Sequence, residues 1–133
     1  MPHPMPTAPT PERRKQAAVG FLRMAVAGKA QQSIGTAVAR DAKHHNPHFP
    51  AGMAALTQAM DDNAKANPGL CLEVKHVLAD GDMVAVHSHV VHKPGEAGIA
   101  VVHLFRFEAD TIVEFWDVAQ EIPQESPNAE GMF

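Results

Sequence analysis

The sequence predicts an α+β domain, and three observations carry that reading. The first half repeats apolar residues at helical spacing, the second half alternates them at strand spacing, and turn-forming pairs separate the strand-like runs. Helices first and an antiparallel meander afterwards place the helices over one face of a sheet. With 133 residues, 45% of them apolar, the chain suffices for one core that buries roughly two-thirds of its unfolded surface. The expected organisation is therefore a flexible, Pro-rich arm over residues 1–10 and a single domain over residues 11–133.

In chain order, Pro2, Pro4, Pro6 and Pro9 exclude helix and sheet from the arm. Thr10 is placed to cap a helix that begins at Pro11, and Ala18, Phe21, Leu22, Ala25 and Val26 recur at helical spacing until Gly28 stops it. A weaker helical stretch is expected from Gln31 to Lys43. It ends at His44-His45-Asn46-Pro47, where Pro47 disfavours a helical Asn46. A third helix is expected from Ala51 to Ala66, with Met53, Leu56 and Met60 on one face and Asn67-Pro68-Gly69 as its breaker. Four strands follow over Leu70 to Leu78, Met83 to Val91, Ile99 to Glu108 and Thr111 to Val118. Asp80-Gly81, a Pro94-Gly95 loop and Ala109-Asp110 separate them. The polar tail from Glu121 to Phe133 contains Pro123 and Pro127 and is expected to run over the surface.

Charge and cysteine content narrow the function. Eleven basic residues against fifteen acidic ones give a net charge of −4 and no basic stripe for phosphate backbones or anionic lipid, which argues against nucleic-acid and membrane partners. The single cysteine, Cys71, cannot form an intramolecular disulfide and reads as a small buried hydrophobe. Met1 to Pro11 offers neither the basic start nor the apolar run of a signal peptide, so a cytoplasmic location is expected.

Nine histidines are the unusual chemistry of this composition. A two-residue hairpin at Asp80-Gly81 sets Leu78 against Met83, Val74 against His87 and Leu72 against His89. Leu70, Leu72, Val74 and Leu78 then form the apolar side of the first strand, and His87 and His89 project from the buried face. The same construction at Ala109-Asp110 sets Phe105 against Glu114 and His103 against Trp116, with Arg106 and Asp117 on the reverse, structural or partner-facing side. A bulge inverts such an assignment, because a one-residue slip turns every side chain over. Three imidazoles on one largely apolar face call for a wet or ligand-filled pocket, since burying polar groups without partners costs about 1–3 kcal/mol each. Imidazole serves there as acid, base or donor near neutral pH. Glu114 is placed to orient one ring, and Trp116 to line the pocket or to pack the last strands. Two other readings stand beside catalysis. His87, His89 and His103 could form a three-histidine metal site, and the pocket could be a non-catalytic binding module.

The order of His45-Asn46-Pro47, Ala79-Asp80-Gly81-Asp82, Val86-His87-Ser88-His89, Val102-His103-Leu104-Phe105-Arg106 and Glu114-Phe115-Trp116-Asp117-Val118 resembles the SnoaL-like polyketide cyclases. The similarity is greatest to the branch described as predicted SnoaL-like aldol-condensation enzymes, within the nuclear transport factor 2-like superfamily. The resemblance implies a cone-shaped, curved antiparallel sheet with its concave face covered by the N-terminal helices, and a homodimer formed through the outer sheet surface. It also implies a small-molecule ligand and cofactor-independent removal of a proton next to a carbonyl. His103 occupies the position of the family's catalytic acid, and His89 matches the neighbouring histidine. On that reading His103 abstracts the proton and His89 donates to the enolate oxygen. His45, Asn46 and His87, with Glu114 and Trp116, contact the substrate.

Overall fold

The computed structural model describes residues 9–133, so the expected proline-rich arm lies almost entirely outside the described residues. Helix α1 spans Pro11–Val26 and starts as its sequence dictates, with the Thr10 hydroxyl accepting from the Arg13 backbone N–H at 3.1 Å and proline in the first turn. Its buried stripe is Ala18, Phe21 and Leu22. Arg14 fixes the helix across the sheet by donating to two turn carbonyls, from Nε to Ala109 at 3.1 Å and from its terminal guanidinium nitrogen to Gly81 at 3.0 Å.

The helix expected over Gln31 to Lys43 does not form. A single 3-10 turn, Ala30–Ser33, is followed by strand β1, Val38–His44. Gly35, at φ +88°, ends the turn, and Val38, Ala42 and His44 are buried. The alanines, arginine and lysine of this segment favour helix, and pairing with the last strand overrides that local preference. Helix α2, Met53–Ala66, is the expected third helix and carries Met53, Leu56, Thr57 and Asp61 on its buried side.

The strands β2 (Cys71–Asp80), β3 (Met83–Val91), β4 (Ile99–Glu108) and β5 (Thr111–Glu121) form the expected meander. β1 joins β5 in parallel, giving an open five-stranded sheet of order β1-β5-β4-β3-β2. The sheet is therefore mixed rather than wholly antiparallel. The first hairpin turns one residue later than expected, with Asp80 paired to Met83 and Gly81 at φ +58°. Cys71, expected in the core, is exposed at the start of β2.

Two irregularities decide which side chains face the helices. In β2 the pairing steps from Val74↔Ser88 to His76↔His87, leaving Lys75 as an extra residue. In β5 it steps from Phe107↔Ile112 to Arg106↔Glu114, leaving Val113 over. Beyond each bulge the alternation inverts. The helix-facing side of β3 is consequently Val84, Val86 and Ser88, all with zero exposure, and His87 and His89 stand on the outer face. Val77 and Ala79 pack against the core while Leu78, expected inside, is 67% exposed. Core packing centres on Phe21, whose ring meets Phe105 edge-on at 6.0 Å and Phe115 at 5.7 Å.

Candidate active site

An apolar cleft of about 630 Å³ lies on the helix-facing side of the sheet. Leu22 and Val26 of α1, Leu56 and Met60 of α2, and Leu72 and Val101 of the sheet supply much of its wall. Six polar side chains interrupt the hydrocarbon: Asn46, His48, Asn63, His92, His103 and Asp117. Among the described residues no lysine or arginine lines it.

β4 presents His103 to this cleft in the series Val101, His103, Phe105, Phe107, an unbroken alternation up to the hairpin. Its direct cross-strand partner is Asp117, not the expected Trp116, because the β5 bulge shifts the pairing by one. Asp117 thus stands on the cleft side rather than the reverse face. Burial pushes the His103 imidazole down to about 4, and the nearby Asp117 carboxylate only partly opposes that. The ring is neutral at physiological pH. Its Nδ1 is sealed from solvent and has no hydrogen-bond partner. Nε2 is not among the sealed, unpartnered atoms and makes no hydrogen bond, so it opens to the cleft.

The loop after β1 completes the polar end. Asn46 Nδ2 donates to Asp117 Oδ2 at 3.0 Å, and Asn46 Oδ1 accepts from the His48 backbone N–H at 3.0 Å. The Asn46 backbone N–H donates to His44 Nδ1 at 3.1 Å, which leaves Nε2 of that ring to donate to the Pro50 carbonyl at 2.8 Å. Asn46 is held on three sides, and it holds Oδ2 of Asp117, a residue that lines the cleft.

Of the residues singled out from sequence, His103 and Asn46 line the cleft and the others do not. His89 Nε2 donates to the Ala97 carbonyl at 2.7 Å on the outer face, under the ring of Phe133. His87 stacks on His76, with their Nδ1 atoms 3.0 Å apart. His45 lies flat on Trp116, with ring centroids 5.0 Å apart, and bonds Glu114 at 2.6 Å. Hydrogen bonds from His45 and then from Arg106 hold the Glu114 carboxyl below the usual carboxylate range. These outer-face groups brace the neighbouring Asn46 loop from behind. A three-histidine metal site fails on the same geometry, since the sheet separates His87 and His89 from His103. Among the described residues no group of three potential ligands converges. Asp117, His48, Asn63 and His92 escaped the sequence reading. For Asp117 the only signal was its alternation, which the bulge inverts.

A family model for the SnoaL-like domain matches residues 9–115. Among solved structures, AclR of Streptomyces galilaeus, described as a candidate hydroxylase, is 24% identical, with a TM-score of 0.67 over 84% of this chain and 91% of its own. An NTF-2 like protein of unknown function from Burkholderia xenovorans is 17% identical, with a TM-score of 0.67 over 87% and 88%. A candidate ketosteroid isomerase from Kribbella flavida is 20% identical, with a TM-score of 0.65 over 90% and 86%. No curated protein sequence matches the chain. Among the described residues no helix is long and apolar enough to cross a membrane. The family match over most of the chain and the shared α+β architecture place this protein in the SnoaL-like domain family, on an NTF2-like fold.

Proposed function

We propose that this protein is a cofactor-independent enzyme that moves a proton next to a carbonyl in a small organic substrate, in an aldol-type cyclisation or a related enolisation. The observation that carries the reading is the polar trio His103, Asp117 and Asn46 set into a largely apolar cleft. Enolate charge is most expensive to form in apolar surroundings, and fixed donors and bases already in place there cost nothing to reorganise during the reaction. Asp117 and His103 are adjacent across one strand pair, where facing Cβ atoms stand about 4.5–5.5 Å apart, so one substrate can reach both. Both a ketosteroid isomerase and an aldol-type cyclase begin with such a proton transfer, which accords with the description of the Kribbella flavida neighbour. His87 and His89 take no part in this proposal, because both stand on the opposite side of the sheet.

The test is solvent-deuterium exchange at the carbon next to the carbonyl, measured across a panel of small ketones and esters. Exchange catalysed by the wild-type protein should fall by about 100-fold or more in His103→Ala, the usual scale for a catalytic donor or base. Equal exchange in the two proteins refutes the assignment of the site.

A further inference from the structure

We infer that the cleft takes an uncharged carbonyl compound, with Asp117 receiving the proton from carbon and His103 donating its Nε2–H to the carbonyl oxygen. This inference rests on the enolisation reading above and reverses the role that the family resemblance gives to position 103.

The tautomer decides the division of labour. A neutral imidazole carries one proton, and one of its two nitrogens here is sealed without a partner. A proton on Nδ1 would leave a buried N–H with no acceptor, which folded proteins tolerate less readily than an unpaired acceptor. The proton therefore belongs on Nε2, the nitrogen that opens to the cleft. In that state the ring offers a donor and has no lone pair for a substrate proton. Taking up a second proton would create a cation with one N–H still sealed, a state that burial opposes more strongly than Asp117 favours it. Asp117 is the complementary group, since it lines the cleft with Oδ2 fixed by Asn46 and with no hydrogen bond to Oδ1 among the described residues.

The electrons balance without a further reactant. The C–H bond next to the carbonyl breaks, its proton passes to Asp117 Oδ1, and its electron pair moves through the carbonyl carbon onto oxygen. That oxygen is held by the Nε2–H of His103, and return of the proton from Asp117 restores the enzyme. Substrate charge follows from the same wall. With the acidic Asp117 side chain in the wall, His103 held neutral by burial and no lysine or arginine among the described lining residues, a carboxylate-bearing substrate would meet a second carboxyl group with no lysine or arginine to pair it.

The experiment compares exchange of uncharged aryl ketones with that of the matching keto acids in wild type, Asp117→Asn, His103→Gln and His103→Asp. In parallel, nitrogen-15 NMR of the wild-type protein reads the His103 tautomer. Asp117→Asn should lose about 100-fold or more, the scale of a lost general base. His103→Gln, which keeps a donor, should stay within about tenfold of wild type, while His103→Asp should fall well below it. Ketones should exchange faster than keto acids, and the NMR should place the proton on Nε2. Full activity in Asp117→Asn, activity in His103→Asp equal to or above wild type, faster exchange of the keto acids, or a proton on Nδ1 overturns the inference. The NMR and charge-preference arms need no variant, so a misfolded Asp117→Asn does not shelter it. Absence of exchange by wild type on every ketone removes the enolisation reading itself, an outcome distinct from any failure among the variants.

Discussion

A neutral histidine in an apolar wall makes folding sensitive to acid in a definite direction. The unfolded chain binds a proton at His103 near the ordinary value of 6.5, and the folded chain only near 4. Between those values the unfolded state holds more protons, so stability falls as pH drops through this window and is unaffected by His103 above it. The contribution lost by pH 4 is at most about 3 kcal/mol. His103→Gln should therefore be less acid-sensitive than wild type between pH 6.5 and 4, measured as urea-unfolding free energy at each pH, and parallel curves would contradict this. His103 was also the one histidine of the predicted cluster whose direction the sequence disclosed. Its strand alternates without interruption from Val101 to Phe107, whereas His87 and His89 were assigned by pairing back to Val74 and Leu72, across the β2 bulge at Lys75 that inverts the alternation.

Elements were easier to find than their faces. Four strands and two helices follow from period and breaker residues, because those signals are local. Lys75 and Val113, the two extra residues of the bulges, carry no local mark at all. Their consequence is nonetheless large, since the second one exchanges Trp116 for Asp117 as the partner of His103. β1 was missed for a related reason: its pairing partner lies some seventy residues away in Ile112 to Phe115, and its own composition favours helix. The β2 bulge can be checked by a pair of substitutions. Val77→Ser removes a side chain packed against the core and should cost about 2 kcal/mol, whereas Leu78→Ser changes an exposed position and should stay within about 0.5 kcal/mol in urea unfolding. The regular register without a bulge demands the reverse order.

On the scale of the whole molecule, the fold divides its work between the two ends of one side of the sheet. Aromatic packing near the hairpin turns, around Phe21, Phe105 and Phe115, supplies a solid core, while the other end of the same helix-covered side is left hollow. Small residues help to keep it so: Ala25 on α1, Ala59 on α2 and Ala119 on β5 all border the cleft. Close-packed cores resist added volume, typically at a cost of about 1–3 kcal/mol, because neighbours are forced off their rotamers. A side chain that grows into an existing void meets no such neighbours and covers hydrocarbon that was exposed to water. Ala25→Phe should therefore leave the thermal midpoint within a few degrees of wild type or raise it, since a change of 1 kcal/mol corresponds to only about 4 °C in a domain of this size. The same substitution should abolish ketone exchange by occupying the space the substrate needs. Calorimetry and the deuterium assay on one variant then separate a hollow kept open for a ligand from a gap that merely weakens the core: stability retained with exchange lost fits the first, and a collapse of the midpoint would mean that α1 packs solidly against the sheet at Ala25.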